Sequence, residues 1–291
     1  MAKTRTSVAL GLFDGVHLGH RAVLKTAAAQ KMNGLTPCAF TFPPESTAGK
    51  NAEYIYSGKE KQMLLTSSFD IAKIFSPQFS EICMMDGDTF ARSILRKELN
   101  AAYVACGKDF RFGKDAAWGI DELAGFGRKY GFTVQAVDDV CCGNERVSST
   151  AVRKLLQKGE LRRANLFLGE PYMIMKEISS GAQLGRTIGF PTANQLFSKG
   201  QLVPAYGVYA SRTLYEGKWY PSMTNIGIKP TVSYGGAPLA ETYISGFSGD
   251  LYGKTVQVVL LDFIRPEKRF SDLDELKQQI RRDVELSIDC P

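Results

Sequence analysis

Val8-Ala9-Leu10-Gly11-Leu12-Phe13-Asp14-Gly15-Val16-His17-Leu18-Gly19-His20 joins an apolar run to a turn, and the turn to a helix-forming stretch. Val8–Phe13 reads as a short buried strand. Asp14-Gly15 breaks it. From His20 to Asn33 the Ala, Leu and Lys content favours a helix. A helix start carries unpaired N–H groups and a partial positive charge, which attract phosphate. Both histidines of the chain, His17 and His20, fall at this start. Residues three apart share a helix face, so with His20 opening the helix both imidazoles would reach one phosphate. Gly11, Gly15 and Gly19 let the backbone approach closely or take positive φ. A polar turn with incidental histidines is the alternative reading.

Outward from this stretch, the first half alternates strands with helices. Strands are expected at Val8–Phe13, Pro37–Phe42, Ala102–Cys106 and Thr133–Val137. Helices are expected at His20–Asn33, Lys59–Phe69, Thr89–Leu99 and Ile120–Tyr130. Such alternation implies a Rossmann-like α/β domain with a parallel sheet covered on both faces. Ligands of such sheets bind at the carboxyl ends of strands, where the histidines lie. Beyond residue 168, Gly and Pro become frequent and the runs turn β-rich: Tyr172–Ile178, Gly207–Thr213, Lys218–Thr224, Thr242–Ile244 and Thr255–Phe263. This pattern predicts a small antiparallel β-barrel or sandwich. A helix over Leu273–Leu286 ends the chain, with Ser271-x-x-Asp274 as its expected capping box. The expected domains are 1–168 and 169–291.

Composition narrows the class. The 291 residues are 44% hydrophobic and 23% charged, the balance of a globular protein. No run approaches the ~18 apolar residues of a membrane span, and Met1–Thr6 lacks a signal-peptide core. A cytoplasmic location is the default expectation. The net charge of +6 is spread without a basic stripe, which argues against nucleic acid as a partner. The six cysteines form no Cys-x-x-Cys pair and read as free thiols. No obligate protein partner is implied.

Two further stretches of the first half carry chemistry. Val147-Ser148-Ser149-Thr150-x-x-Arg153 precedes a short helix, Thr150–Gln157. Its three hydroxyls can cap the helix or donate to phosphate, and Arg153 adds a fork of charged donors one turn on. Gly107-Lys108-Asp109-Phe110-Arg111-Phe112-Gly113 follows the Ala102–Cys106 strand. The opening stretch resembles the His-x-Gly-His signature of the nucleotidyltransferase superfamily. In its longer form, Gly11-x-Phe13-Asp14-Gly15-x-His17-x-Gly19-His20, it is similar to the flavin adenylyltransferases, which attach the AMP part of ATP to FMN. Val147–Arg153 resembles the Ile-Ser-Ser-Thr-x-x-Arg motif of the same superfamily. The resemblance implies nucleotide or phosphate binding by Gly11, Phe13, Asp14, Gly19, Asp109, Ser148, Ser149, Thr150 and Arg153. His17 and His20 would be catalytic. Phe110 and Phe112 are either flavin-facing or core. Thr41-Phe42-Pro43-Pro44-Glu45-Ser46 is similar to a family loop but carries Ser46 where a second proline is usual.

The second half holds Gly181-x-x-x-Gly185-x-x-x-Gly189-Phe190-Pro191-Thr192-Ala193-Asn194. Glycines at that spacing could be a flexible loop; with Phe-Pro-Thr-Ala-Asn they resemble the riboflavin kinase motif. The resemblance implies that Gly181, Gly185 and Gly189 fold over ATP phosphates. Thr192 and Asn194 would hold Mg²⁺, a hard cation that takes oxygen ligands. Asn225-Ile226-Gly227-x-x-Pro230-Thr231-Val232 and Glu241-x-x-Ile244 match as well, with Glu241 as the expected base. Ile264-Arg265-Pro266-Glu267 continues the match and implies a flavin contact by Arg265. Glu170 stands where arginine is common, and Tyr243 where histidine is frequent.

Taken in order, these motifs resemble the bifunctional riboflavin kinase/FAD synthetase family over nearly the whole chain. The expected activity is phosphorylation of riboflavin by ATP to FMN, then adenylylation of FMN by a second ATP to FAD and pyrophosphate. A monofunctional enzyme with one degenerate site is one rival reading. A flavin- or RNA-binding regulator that has lost catalysis is another.

Overall fold

β1, Thr6–Leu10, is buried at every position because it is the middle strand of a parallel sheet. A near-continuous apolar strand is what a sheet covered on both faces demands. β2 (Thr36–Phe40) and β4 (Ala101–Gly107) flank it, and β3 (Lys73–Phe75) and β5 (Thr133–Val137) form the edges. In this computed structural model, which describes residues 4–47, 53–179, 189–228 and 236–290, the order is β3-β2-β1-β4-β5. Every pair is parallel. The strand order reverses between β1 and β4, so the turn after β1 lies at the topological switch point. The main connecting helices are α1 (Leu18–Ala28), α2 (Gly58–Phe69), α3 (Phe90–Glu98) and α4 (Ile120–Tyr130).

Three local departures from the expected elements have physical causes. β1 stops at Leu10, not Phe13, because Phe13, Gly15 and Val16 all take positive φ and build the turn. α1 is opened by His17 as N-cap rather than by His20. α3 is wound as a π-helix, and Leu99 N–H donates to Ile94 O five residues back at 2.9 Å. The core of this unit gathers Phe40, Phe90, Phe112 and Phe132 around Val8, Leu10 and Val104.

Packing divides the chain into two compact units, Met1–Ser149 and Thr150–Pro291. A two-residue hairpin, β6 (Cys141–Cys142) with β7 (Glu145–Arg146), precedes the division. α5 (Ser149–Gln157) and α6 (Leu161–Leu168) lead into the second unit. Its six-stranded antiparallel sheet is curled, in the order β8-β13-β10-β11-β12-β9. The strands are β8 (Tyr172–Glu177), β9 (Thr192–Leu196), β10 (Gly207–Tyr215), β11 (Lys218–Ile228), β12 (Pro238–Ile244) and β13 (Thr255–Pro266). The two edge strands approach at Ser179, just past β8, whose N–H donates to Asn194 O at 2.9 Å. Inside the sheet runs a buried hydroxyl ladder, Ser211–Thr224–Thr242, with oxygen separations of 2.8 and 2.9 Å.

α6 packs on β8 and β13, where Asn165 donates to Leu260 O and accepts from Tyr172 N–H. α7 (Leu273–Ile288) packs on β10 and β11. Its cap corrects the expected capping box. Asp272, not Ser271, is the N-cap and accepts from Asp274 N–H and Glu275 N–H, while Glu275 reaches back to Ser271 N–H. Gly181 and Gly185 lie outside the described residues, as do Pro230, Thr231 and Val232.

Candidate active sites

The turn after β1 is strained and heavily tied. A positive φ is uncommon for a bulky or β-branched residue, costs about 1–3 kcal/mol and persists only where its surroundings enforce it. Phe13 has φ 50° and Val16 has φ 42°, and both are buried. At Gly15, φ is 82°, which strains any side chain, and a Cβ would fall 2.7 Å from Ile55 Cδ1, so glycine is the least costly residue there. Asp14 Oδ1 accepts from Ile55 N–H at 2.8 Å, and Ser149 Oγ donates to Asp14 O at 2.8 Å. The sequence reading aimed the Ser149 hydroxyl at phosphate or its own helix; here it fastens the two motifs together. Gly11 and Gly19 lie beneath the rings of Phe13 and His17.

His17 caps α1 with its side chain, Nδ1 accepting from His20 N–H at 3.4 Å. That places the proton of neutral His17 on Nε2. The two imidazoles stack with centroids 3.7 Å apart and planes 19° from parallel, and Phe13 meets His20 edge-on. His20 as a residue is half-buried, yet its Nδ1 is sealed from solvent without a hydrogen-bond partner. Burial pushes the His20 pKa well below 6.5, with His17 and Lys61 adding in the same direction. His20 is therefore neutral near pH 7, a hydrogen-bonding group rather than a cation.

Around this turn stand residues the sequence reading missed. Lys61 is buried on α2 and donates to Leu12 O, Thr41 Oγ1 and Phe42 O at 3.1, 3.1 and 2.6 Å. Its signal was present: Lys61, Leu64 and Leu65 share the i, i+3, i+4 face of α2. Arg146 pairs with Asp109 at 2.5 Å and with Asp139 at 2.8 Å, so the expected nucleotide residue Asp109 already holds a cation. Phe112 is a core side chain against Phe90, Trp118 and Phe126, and half-buried Phe110 stacks on it. Ser148 is half-buried, Thr150 is exposed, and half-buried Arg153 lies one turn into α5.

In the second unit, a cavity of about 270 Å³ is lined by Phe190, Thr192, Asn225, Glu241, Tyr243, Arg265 and Asp283, with Leu276 and Ile280 from α7. A second cavity, of about 260 Å³, is lined by Pro191, Thr192, Thr242, Phe247 and Tyr252. Thr192 lines both. Glu241 lies across from Asn194 on β9 and from Asn225 on β11. Asn194 is buried, and its Oδ1 has no hydrogen-bond partner. Arg265 is held by Asp283 through Nε at 3.0 Å and Nη2 at 2.6 Å. Gly227 makes room for Glu267, since a Cβ there would lie 2.1 Å from Glu267 Oε1. Asp283 also went unread in the sequence, though Leu276, Ile280 and Asp283 recur on one face of α7.

Two half-chain matches correspond to these two sites. The family model for FAD synthetase matches residues 1–151, and that for riboflavin kinase matches residues 168–290. The bifunctional riboflavin kinase/FMN adenylyltransferase of Escherichia coli (strain K12) is 36% identical over 280 residues, 94% of this chain and 89% of that protein. The chain belongs to the bifunctional riboflavin kinase/FMN adenylyltransferase family. The proteins of that name from Listeria monocytogenes and Haemophilus influenzae are 35% and 34% identical over 95% and 97% of this chain, covering 89% and 92% of their own lengths. A chain solved as a macrolide-efflux protein from Streptococcus pneumoniae superposes with a TM-score of 0.84 at 26% identity, covering 99% of this chain and 95% of that one. Among the described residues, no helix is long and apolar enough to cross a membrane. The turn with His17 and His20 thus belongs to the FAD synthetase half, and the cavities flanking Thr192 belong to the riboflavin kinase half. The chain is a transferase of flavin cofactor biosynthesis, from kinase and adenylyltransferase families that use ATP.

Proposed function

We propose that the riboflavin kinase reaction runs across Thr192, with the flavin in the cavity beneath α7 and ATP in the cavity on the other side. The shared lining by Thr192 carries this reading. The first cavity offers aromatic and aliphatic walls from Phe190, Tyr243, Leu276 and Ile280 to a flat ring system, with Arg265 fixed at its edge. Glu241 faces that cavity and acts as the base. It takes the proton of the ribityl hydroxyl as the oxygen attacks the γ-phosphate, and ADP departs. The donor set suits Mg²⁺: Asn194 Oδ1 is a buried oxygen lacking a partner, and Thr192 stands two residues before it on the strand. When bound there, the cation would neutralise charge on the transferred phosphoryl group.

The adenylyltransferase reaction belongs to the turn after β1. The FMN phosphate attacks the α-phosphate of ATP, and pyrophosphate leaves. His17 and His20 donate hydrogen bonds to the charge that develops there. Ser148, Thr150 and Arg153 bind the triphosphate, with Gly11, Phe13, Asp14 and Gly19 shaping the nucleotide site. Asp109 acts together with its partner Arg146, and Phe110 presents the flavin-facing ring that Phe112 supports from the core. The kinase is assigned to residues 169–291 and the adenylyltransferase to 1–168, with the stretch from α5 to α6 as scaffold for the kinase sheet. A cytoplasmic location is part of the proposal, supported by six free cysteines.

Incubation with riboflavin, ATP and Mg²⁺, followed by chromatography, tests both halves. FMN should form first and FAD after it. Unchanged riboflavin refutes the kinase assignment, and supplied FMN that yields no FAD refutes the adenylyltransferase.

A further inference from the structure

We propose that Lys61 is a positioning residue of the adenylyltransferase, a strut that locks the strained histidine-bearing turn against the Thr41–Pro44 loop; this inference rests on the adenylyltransferase reading of that turn. An ammonium has three donors and no acceptor. Lys61 directs them to Leu12 O, just before Phe13, and to Thr41 Oγ1 and Phe42 O in the loop after β2. Thr41 Oγ1 in turn donates to Leu12 O at 2.8 Å, which closes the triangle. With each donor directed to a protein oxygen, Lys61 has no hydrogen bond left for a phosphate. Its work is mechanical and electrostatic.

Both effects bear on His20. The positive φ values at Phe13 and Val16 persist only if neighbouring structure enforces them. Lys61 ties down the carbonyl immediately before that segment. Its charge also disfavours a second charge on His20, so the imidazole is kept as a neutral group beside the reacting phosphate. The charged or titratable groups facing Lys61 are Asp14 and His20 from the turn and α1, and Glu45 from beyond the Pro43-Pro44 corner. Burial outweighs the two carboxylates and brings the Lys61 pKa from 10.5 to about 8.

A lysine that merely filled space would give one signature, and a strut gives another. As pH rises through about 8, Lys61 loses a proton and one of its three donors. FAD formation should decline with that titration, whereas FMN formation should not. Stability should move the opposite way. The unfolded chain holds the Lys61 proton up to 10.5, so between about 8 and 10.5 it binds more protons than the folded chain, and folding gains. Relative to Lys61→Met, wild type should become more stable across that window while its FAD-forming rate falls.

The experiment compares wild type, Lys61→Met, Lys61→Arg and Thr41→Val in the full chain. It measures kcat and KM for FAD formation from FMN and ATP between pH 6 and 10, together with FMN formation from riboflavin. Lys61→Met should lower kcat for FAD about 10²-fold, the usual cost of a misplaced catalytic group. KM should change by less than about threefold, the alkaline limb near pH 8 should vanish, and FMN formation should stay unchanged. Lys61→Arg should recover part of the rate and move the limb upward. If Lys61→Met does not fold, Thr41→Val must still cost about tenfold in kcat. Thr41→Val or a folded Lys61→Met at the wild-type rate overturns the strut, as does a limb that persists in Lys61→Met. Wild type that makes no FAD at all overturns the adenylyltransferase reading instead, so the two failures are distinguishable.

Discussion

In the proposed adenylyltransferase reaction His20 would meet the phosphate as a neutral imidazole, because burial, His17 and Lys61 all oppose its charging. Its contribution would be a hydrogen bond that strengthens as charge builds on the α-phosphate. His20→Ala should therefore slow FAD formation by about 10²–10³, the range for losing one such donor. FMN formation should be untouched, which separate assays from FMN and from riboflavin will read. Glu241→Gln is the mirror experiment. It keeps shape and cavity lining but cannot take a proton, so FMN formation should fall by about 10²–10⁴ while FAD formation from supplied FMN is preserved. Asn194 tests the metal. Its Oδ1 is buried without a partner, so removing it by Asn194→Ala strips no existing bond from that oxygen. The Mg²⁺ concentration for half-maximal kinase activity should rise about tenfold, with the melting temperature in metal-free buffer unchanged within a few degrees.

Elements differ in how plainly residues announced them. β1 and its turn were legible because an apolar run, Asp14-Gly15 and a helix-forming stretch coincide there. β3 was not, since Lys73-Ile74-Phe75 is too short to show a period. The α7 cap was misplaced by one residue, because Ser271 and Asp272 are adjacent cap formers and only tertiary geometry chooses between them. The histidines, Glu241 and the Thr192-Ala193-Asn194 motif were recognisable as local strings, although the strand that carries the motif was not. Lys61 and Asp283 were not, because each acts by reaching a distant segment. Asp283 exemplifies this: from α7 it holds Arg265 of β13, with side chains 1% and 19% exposed. Breaking a buried pair from one side leaves an uncompensated charge and costs about 3–5 kcal/mol. Asp283→Ala should lower the melting temperature of the kinase unit by on the order of 10 °C. It should also raise KM for riboflavin more than it lowers kcat, since the wall supplied by α7 loosens.

At the scale of the molecule, the division of packing at Ser149/Thr150 makes a testable claim about fragments. A chain from residue 169 resembles a complete kinase by motif, but it lacks Asn165, which bonds to Leu260 O and Tyr172 N–H, and Arg162, which pairs with Asp262. It also loses Leu156, whose carbonyl accepts from Ala205 N–H. A fragment 150–291 should melt more than 10 °C above a fragment 169–291, at about 3–8 °C per kcal/mol; equal melting points would show that the two helices are dispensable. The meeting of β8 with β9 has a consequence of another kind. At Asn194 one residue serves two roles: its backbone oxygen receives the Ser179 amide, and its side chain, in register with Glu241 of the neighbouring strand, is one of the two proposed Mg²⁺ donors. Occupancy of that site is thereby written into an isotope-exchange rate. Deuterium uptake at the Ser179 amide should slow when Mg²⁺ and nucleotide are added, giving a read-out of ligation that needs no turnover.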